Sequence, residues 1–249
     1  MRKPLVAGNW KMYKTPEETE NFIKEFLQFL KGTEKAEIAL CPPYTSLYLA
    51  NQLLKNTPIL LGAQDVHWED EGAYTGKISC KMLIHSGCHY VIIGHSEQRT
   101  FFHETDETVN KKIKKALQSG LTPILCVGET LEQRNQNKQK EIVEKQIQNA
   151  FKEIQNIQNT VIAYEPVWAI GTGVNATPEQ AQEMHLFIRT LIEKLYNKET
   201  AEKIRIIYGG SLKPENAKEI FIQNDIDGGL VGGASLKPES FYRIVESTN

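Results

Sequence analysis

The chain has 249 residues, enough to bury the core of one large α/β domain or of two small ones. Hydrophobic residues make up 40% and charged residues 24%, an ordinary globular composition. The 29 Lys and Arg nearly balance the 31 Asp and Glu, which excludes a whole-chain electrostatic draw on nucleic acid. No apolar run reaches the ~20 residues that cross a bilayer, so no membrane span is expected, and any anionic substrate must be met by a locally built site.

The first apolar run, Leu5 to Trp10, begins almost at once, so a strand is expected there and no signal-peptide core. Thr15-Pro16-Glu17-Glu18 then supplies an N-cap, a first-turn proline and a capping-box glutamate. Phe22, Ile23, Phe26, Leu27 and Leu30 follow at helical spacing. Further apolar runs lie at Ile38 to Cys41, Ile59 to Ala63, Tyr90 to Gly94 and Pro123 to Val127. A helix around Lys111 to Ser119 is ended by Gly120, and Glu132 to Asn159, rich in Gln, Asn and Lys, reads as one long solvated helix. After the run Val161 to Glu165, Thr177-Pro178-Glu179-Gln180 repeats the helix-start signal, and the last runs are Ile204 to Tyr208 and Gly229 to Val231.

Near-continuous hydrophobicity is the mark of parallel strands covered on both faces. Eight such runs alternate with eight helical segments, with no linker composition anywhere. The expected fold is therefore α/β, a single-domain (β/α)8 barrel over residues 1–249. An open doubly wound sheet is the competitor, and the count and even spacing favour closure. Cys41, Cys80, Cys88 and Cys126 form no CxxC pair and no zinc spacing, so reduced, mostly buried thiols and a cytoplasmic location are expected.

In a barrel the carboxyl ends of the strands share one face. The first strand ends in Asn9-Trp10-Lys11, the fourth in Gly94-His95-Ser96-Glu97 and the sixth in Glu165. Taken singly, these residues read as a solvated lysine, a structural histidine and a surface carboxylate; their shared position favours a site. Pro166, Trp168 and Ile170 are stiff or bulky and Gly171 and Gly173 can bend, so the segment after Glu165 reads as a lid over a proton-abstracting base. Gly209-Gly210-Ser211-Leu212-Lys213-Pro214-Glu215 recurs as Gly232-Gly233-Ala234-Ser235-Leu236-Lys237-Pro238-Glu239, after the seventh and eighth strands. Both copies are expected to open helices and to cradle a phosphate.

Three weaker patterns carry less. Gly171 to Ala176 fits G-x-G-x-x-A but lies too far from its strand, and Gly72 to Lys77 is one residue short of a P-loop. His85 and His89 are interrupted by Gly87.

The motifs Asn9-Trp10-Lys11-Met12, Ile93 to Glu97, Ala163 to Gly173, Tyr208 to Ser211 and Leu230 to Ser235 occur in this order. With them the chain resembles the triosephosphate isomerase family from end to end. The resemblance implies a TIM barrel and an isomerase of glycolysis and gluconeogenesis. It would interconvert dihydroxyacetone phosphate and D-glyceraldehyde 3-phosphate through an enediolate, with no cofactor and no metal. It further implies Glu165 as base, His95 as neutral electrophile and Lys11 as stabiliser of substrate charge, with flap 166–176 closing over the site. Asn9 would orient the substrate, and backbone N–H groups near Gly171, Ser211, Gly232 and Gly233 would hold its phosphate. Ser96 would open the short helix that disfavours a charged His95, and Glu97 would support the reacting groups from behind. Gln64 to Ile78, a long polar segment with Trp68, Tyr74 and Thr75, would insert into a second subunit and make a homodimer.

Two departures stand out. Gln98 replaces a usual arginine near the expected interface, and Val174-Asn175-Ala176 replaces Lys-Thr-Ala in the lid, which bears on its opening rate. On the residues alone, two alternatives stay open. A Schiff-base sugar-phosphate aldolase needs a lysine on a central strand, and Val161 to Glu165 and Ile204 to Tyr208 hold none. A phosphosugar-binding barrel without catalysis would have no need of Lys11, His95 and Glu165 together.

Overall fold

Successive side chains along a strand point to opposite faces, and here both faces are covered. The computed structural model describes residues 2–170 and 176–248. Its strands are β1 (Leu5–Asn9), β2 (Glu37–Cys41), β3 (Ile59–Ala63), β4 (Cys88–Ile93), β5 (Thr122–Val127), β6 (Val161–Tyr164), β7 (Arg205–Tyr208) and β8 (Gly228–Val231). They pair in chain order, all parallel, and β8 returns to β1 from Leu5↔Gly228 to Gly8↔Val231. The (β/α)8 barrel is closed, and the open doubly wound sheet is ruled out.

Alternation sorts the core into two shells. Leu5, Ala7, Ala39, Cys41, Ile92, Ile124, Cys126 and Ala163 fill the barrel interior. Their neighbours Val6, Ile38, Leu40, Val91, Ile93, Leu125 and Ile162 face the surrounding helices. At the amino-terminal mouth, Arg205 Nη1 donates to Glu37 at 2.9 Å and Nη2 to the Tyr90 hydroxyl at 2.7 Å, while that hydroxyl also contacts Glu37. This floor satisfies the inward-facing polar groups and leaves the opposite, carboxyl-terminal mouth for chemistry.

The helix starts follow the sequence signals. Helix Pro16–Phe29 has a full capping box: Thr15 Oγ1 accepts the Glu18 N–H at 3.3 Å, and the Glu18 carboxylate accepts the Thr15 N–H at 2.7 Å. Its buried face, Phe22, Ile23 and Phe26, meets Trp10 and Phe241, with ring centroids 4.6 Å (Trp10–Phe22) and 5.3 Å (Phe26–Phe241) apart. Each such aromatic burial contributes about 1.5–3 kcal/mol, so the first and last helices together clasp the β1–β8 seam. Thr177 and Gln180 form the same box on helix Pro178–Leu195, and helix Asp106–Gln118 stops just before Gly120.

The long helix expected over Glu132 to Asn159 is two pieces, Leu131–Asn135 and Gln139–Ala150, followed by turns to Thr160. Asn137 breaks it at φ 56°, and Ile157 is drawn fully into the core between the turns. Polar composition without glycine or proline hid this break, because asparagine tolerates the left-handed region. All four cysteines are free and buried.

Candidate active site

β1 delivers Lys11 by a strained turn. Lys11 has φ 52°, which is uncommon for a residue with a Cβ and costs roughly 1–2 kcal/mol. The strain is held from both sides: Asn9 Oδ1 accepts the Lys11 N–H at 3.0 Å, and Gln64 Nε2 donates to the Lys11 carbonyl at 2.8 Å. Lys11 Nζ then lies 2.5 Å from Glu97 Oε1. Glu97 therefore touches the lysine head directly. Asn9 uses its oxygen on the chain and keeps both amide N–H groups available for a substrate.

β4 and β6 deliver an imidazole and a carboxylate onto each other. His95 is the N-cap of helix Ser96–Phe101, and its Nδ1 accepts the Glu97 N–H at 3.2 Å. That bond assigns the neutral ring's proton to Nε2, which faces Glu165 Oε1 at 3.0 Å. The other oxygen of Glu165, Oε2, accepts the Ser96 N–H at 2.9 Å. Glu165 is 2% exposed, so its charge is sustained by these partners and not by water.

Burial pushes the Glu165 carboxyl up. His95, the Ser96 N–H and Lys11 outweigh it, leaving the group below the usual carboxylate range. Burial also works against a charged His95, and the start of the helix acts in the same sense through the Glu97 N–H. The Glu165 carboxylate outweighs both, so the ring sits above its ordinary value in this arrangement. The expectation of a disfavoured imidazolium is corrected for this arrangement: the Glu165 carboxylate at Nε2, joined by the Glu97 charge, favours the protonated ring. Beneath them, burial and the Glu165 charge push the Cys126 thiol well above its ordinary value, so it stays protonated.

A cavity of about 720 Å³ opens beside Lys11, lined among others by Ile170, Gly210, Ser211, Gly232 and Gly233. A Cβ on Gly232 would stand 3.4 Å from Lys11 Cε, so the backbone of the second glycine repeat runs close along the lysine stem. Neither repeat opens an α-helix directly. The first leads through a turn, in which Asn216 Nδ2 donates to the Ser211 carbonyl at 2.9 Å, to a helix at Ala217–Phe221. The second forms a 3-10 turn over Gly233–Leu236 before helix Pro238–Glu246. Proline suits the first helical position, so Pro238 sets a start five residues after Gly233.

Asn9, Lys11, His95, Ser96, Glu97 and Glu165 are thus brought together, with Ser211, Gly232 and Gly233 on the adjoining cavity. Gly171, Gly173, Val174 and Asn175 lie outside the described residues, so of the expected flap only 166–170 and Ala176, which is buried, are described. Glu129, which the sequence motifs do not single out, anchors the segment that follows β6. Its fully buried carboxylate accepts the Trp168 Nε1–H at 2.8 Å, the Tyr164 hydroxyl at 3.0 Å and Arg134 Nη1 at 2.9 Å. It follows β5 in Val127-Gly128-Glu129, a strand-end carboxylate like Glu165, and that position is the signal that could have found it.

The loop 64–78 folds on its own aromatic cluster. The His67 ring lies 4.1 Å from that of Trp68 and 4.5 Å from that of Tyr74, and the His67 N–H meets the Ile78 carbonyl at 2.8 Å. Gln98 and Lys77 line one cavity of about 190 Å³ with Asp65 and Lys112. Lys112 there is paired with Asp65 and Glu104, and nothing in the structure accounts for the neutral side chain at position 98. His85 ends a helix and His89 lies in β4, and among the described residues no group of three His, Cys, Asp or Glu side chains is placed to hold a metal ion.

A carboxylate, an imidazole N–H and an ammonium at the carboxyl-terminal mouth, beside a glycine-lined cavity, can move a proton next to a carbonyl. Residues 4–248 match the sequence profile of the family described as triosephosphate isomerase. The chain belongs to the triosephosphate isomerase family. It is 56% identical to the triosephosphate isomerase of Dictyoglomus thermophilum over 249 residues, covering 99% of this chain and 100% of that one. To those of Carboxydothermus hydrogenoformans and Thermoanaerobacter pseudethanolicus it is 53% and 51% identical, covering at least 98% of each chain. As a triosephosphate isomerase family enzyme it interconverts dihydroxyacetone phosphate and D-glyceraldehyde 3-phosphate, a step of glycolysis. The aldolase and the non-catalytic barrel are thereby set aside.

Proposed function

We propose that Glu165 is the base of this isomerisation, His95 its electrophile and Lys11 the counter-charge. Glu165 removes a proton from the carbon beside the substrate carbonyl and returns it to the neighbouring carbon. His95 Nε2–H polarises the carbonyl oxygen and shuttles a proton between the two oxygens, and Lys11 offsets the charge of the enediolate. The observation that carries this reading is the 3.0 Å approach of Glu165 Oε1 to His95 Nε2 inside the mouth that Lys11 borders.

In the substrate-free arrangement both Glu165 oxygens are occupied, by His95 and by the Ser96 N–H. Turning toward substrate releases both bonds while burial remains, so the carboxylate becomes more basic as it reaches the carbon. The same turn frees Nε2–H for the carbonyl and takes away the carboxylate that raises the ring's pKa. Asn9 orients the substrate through its amide N–H groups, and backbone N–H groups near Gly171, Ser211, Gly232 and Gly233 receive its phosphate. Flap 166–176 closes over them and excludes water, which protects the enediolate. Glu165→Gln keeps shape and removes the base; kcat is expected to fall by at least ~1,000-fold, within the range of general-base losses. A Gln variant that turns over like the wild type would reject the assignment.

We further read the protein as a single-domain, cytoplasmic homodimer assembled through loop 64–78. Support comes from an exposed apolar collar around the loop: Met12 is 95% exposed, Tyr48 69%, Phe101 68% and Phe102 69%, with Tyr74 at the loop tip. The free buried thiols fit a reducing compartment, and among the described residues no helix is long and apolar enough to cross a membrane. Thr75→Arg places a charge at the tip of the loop and is expected to give a monomer with crippled turnover. A fully active monomer by sedimentation would exclude the assembly.

A further inference from the structure

We propose that Arg99 is a positioning residue for His95, acting through the carbonyl of Gly94. Gly94 immediately precedes His95 and has φ +78°, a conformation that side chains rarely adopt. A Cβ there would meet Arg99 Nη2 at 3.0 Å and the Cys126 carbonyl oxygen at 3.2 Å, so the corner is closed to other residues.

Both backbone polar groups of this corner are held by charged side chains. Arg99 Nε donates to the Gly94 carbonyl at 2.8 Å, and Glu104 Oε2 accepts the Gly94 N–H at 3.0 Å. Arg99 is fixed in turn by Asp106, whose Oδ1 accepts Nη1 at 2.6 Å. Glu104 is fixed by Lys112, which also reaches Asp65 at 2.6 Å. The Arg99 backbone N–H closes the arrangement on the His95 carbonyl at 3.1 Å. The Gly94 carbonyl lies in the peptide plane that carries the His95 nitrogen, so a rotation of that plane swings the imidazole. Nε2 must stay within hydrogen-bond reach of its target, and the Gly94 corner is where that reach is set.

Arg99 Nη2 is buried and, among the described residues, has no hydrogen-bond partner. The guanidinium is therefore kept at the expense of an unsatisfied donor, which fits a group retained for what Nε and Nη1 hold. A lysine offers one ammonium in place of two donors in fixed directions and does not reproduce both contacts.

This inference rests on His95 acting at the substrate carbonyl. The test compares full-length wild type, Arg99→Met, Arg99→Lys and His95→Gln by kcat and KM, with and without added guanidinium ion. Arg99→Met is expected to lose about 10–100-fold in kcat, since a shift on the order of 1 Å costs about 100-fold, with KM within about twofold. Guanidinium ion is expected to restore part of that kcat, and Arg99→Lys to be slowed in the same sense. Wild-type turnover in His95→Gln overturns the reading of His95. A crippled His95→Gln beside an unimpaired Arg99→Met overturns the role of Arg99 alone. Equal changes in kcat and KM without rescue overturn it as well. If Arg99→Met does not fold, an unchanged kcat in Arg99→Lys overturns that role in its place.

Discussion

Adding a single methyl group at Gly209 is expected to slow turnover while leaving the barrel folded. The first residue after β7 passes behind the reacting carboxylate, and a Cβ there would stand 2.8 Å from Glu165 Cγ and 3.2 Å from the Tyr164 carbonyl oxygen. Ordinary contact begins at 3.4 Å, so Cγ must retreat by 3.4 − 2.8, about 0.6 Å. It has nowhere free to go, because the carboxylate is bound at 3.0 Å to His95 and at 2.9 Å to the Ser96 N–H. Overpacking of this kind costs about 1–3 kcal/mol. At about 2–4 °C per kcal/mol for a chain of this size, the melting temperature of Gly209→Ala falls by about 2–12 °C. A misplacement approaching 1 Å costs up to about 100-fold, so kcat falls about 10–100-fold while KM moves little. A coupled isomerase assay in both directions, with thermal unfolding on the same samples, reads both quantities. Gly233→Ala is the contrast: among the described residues its Cβ meets no atom within 4 Å, and Gly233 lines the cavity proposed to receive the phosphate, so it is expected to raise KM more than it lowers kcat. A Gly209→Ala enzyme within twofold of wild-type kcat would refute the packing argument.

Two further outcomes concern stability. His185 is fully buried, its Nδ1 bonded to the Ala181 carbonyl at 2.7 Å, and burial depresses its pKa from 6.5 to about 4. The unfolded chain binds the proton first, so stability is full above the unfolded value and is lost as pH falls from about 6.5 toward 4. The loss amounts to roughly 3 kcal/mol. His185→Gln should flatten that part of the urea-midpoint profile, and an unchanged slope would exclude the histidine as its source. Lys112→Met leaves Asp65 and the buried Glu104 without their cation, and breaking such a buried pair costs about 3–5 kcal/mol. A fall in melting temperature of about 6–20 °C is expected, and a variant as stable as wild type would show that the network is not stabilising.

Much of this was legible in the sequence, for identifiable reasons. A strand buried on both faces is a continuous apolar run, and each of the eight runs is a strand of the barrel. Helix starts were legible where Thr and Pro stood together, at 15–16 and 177–178. The segment from Glu132 failed because its breaks depend on Asn137 in the left-handed region and on Ile157 reaching the core, and neither has a local signature. Lys11, His95 and Glu165 were visible because strand ends converge in a barrel. Arg99, Glu104 and Lys112 were not, because they act on the backbone of Gly94 from positions that look like solvated surface. Glu129 sat in plain view after β5, and its role depends on Trp168 and Tyr164 folding back onto it.

The most direct probe of Glu165 as base is hydrogen exchange at carbon. Dihydroxyacetone phosphate in deuterium oxide, followed by proton NMR, should gain deuterium at the carbon beside its carbonyl with the wild type. With Glu165→Gln it should gain almost none, although the variant still binds a phosphate-bearing substrate analogue. Carbon exchange by the Gln variant at the wild-type rate would mean that another group takes the proton.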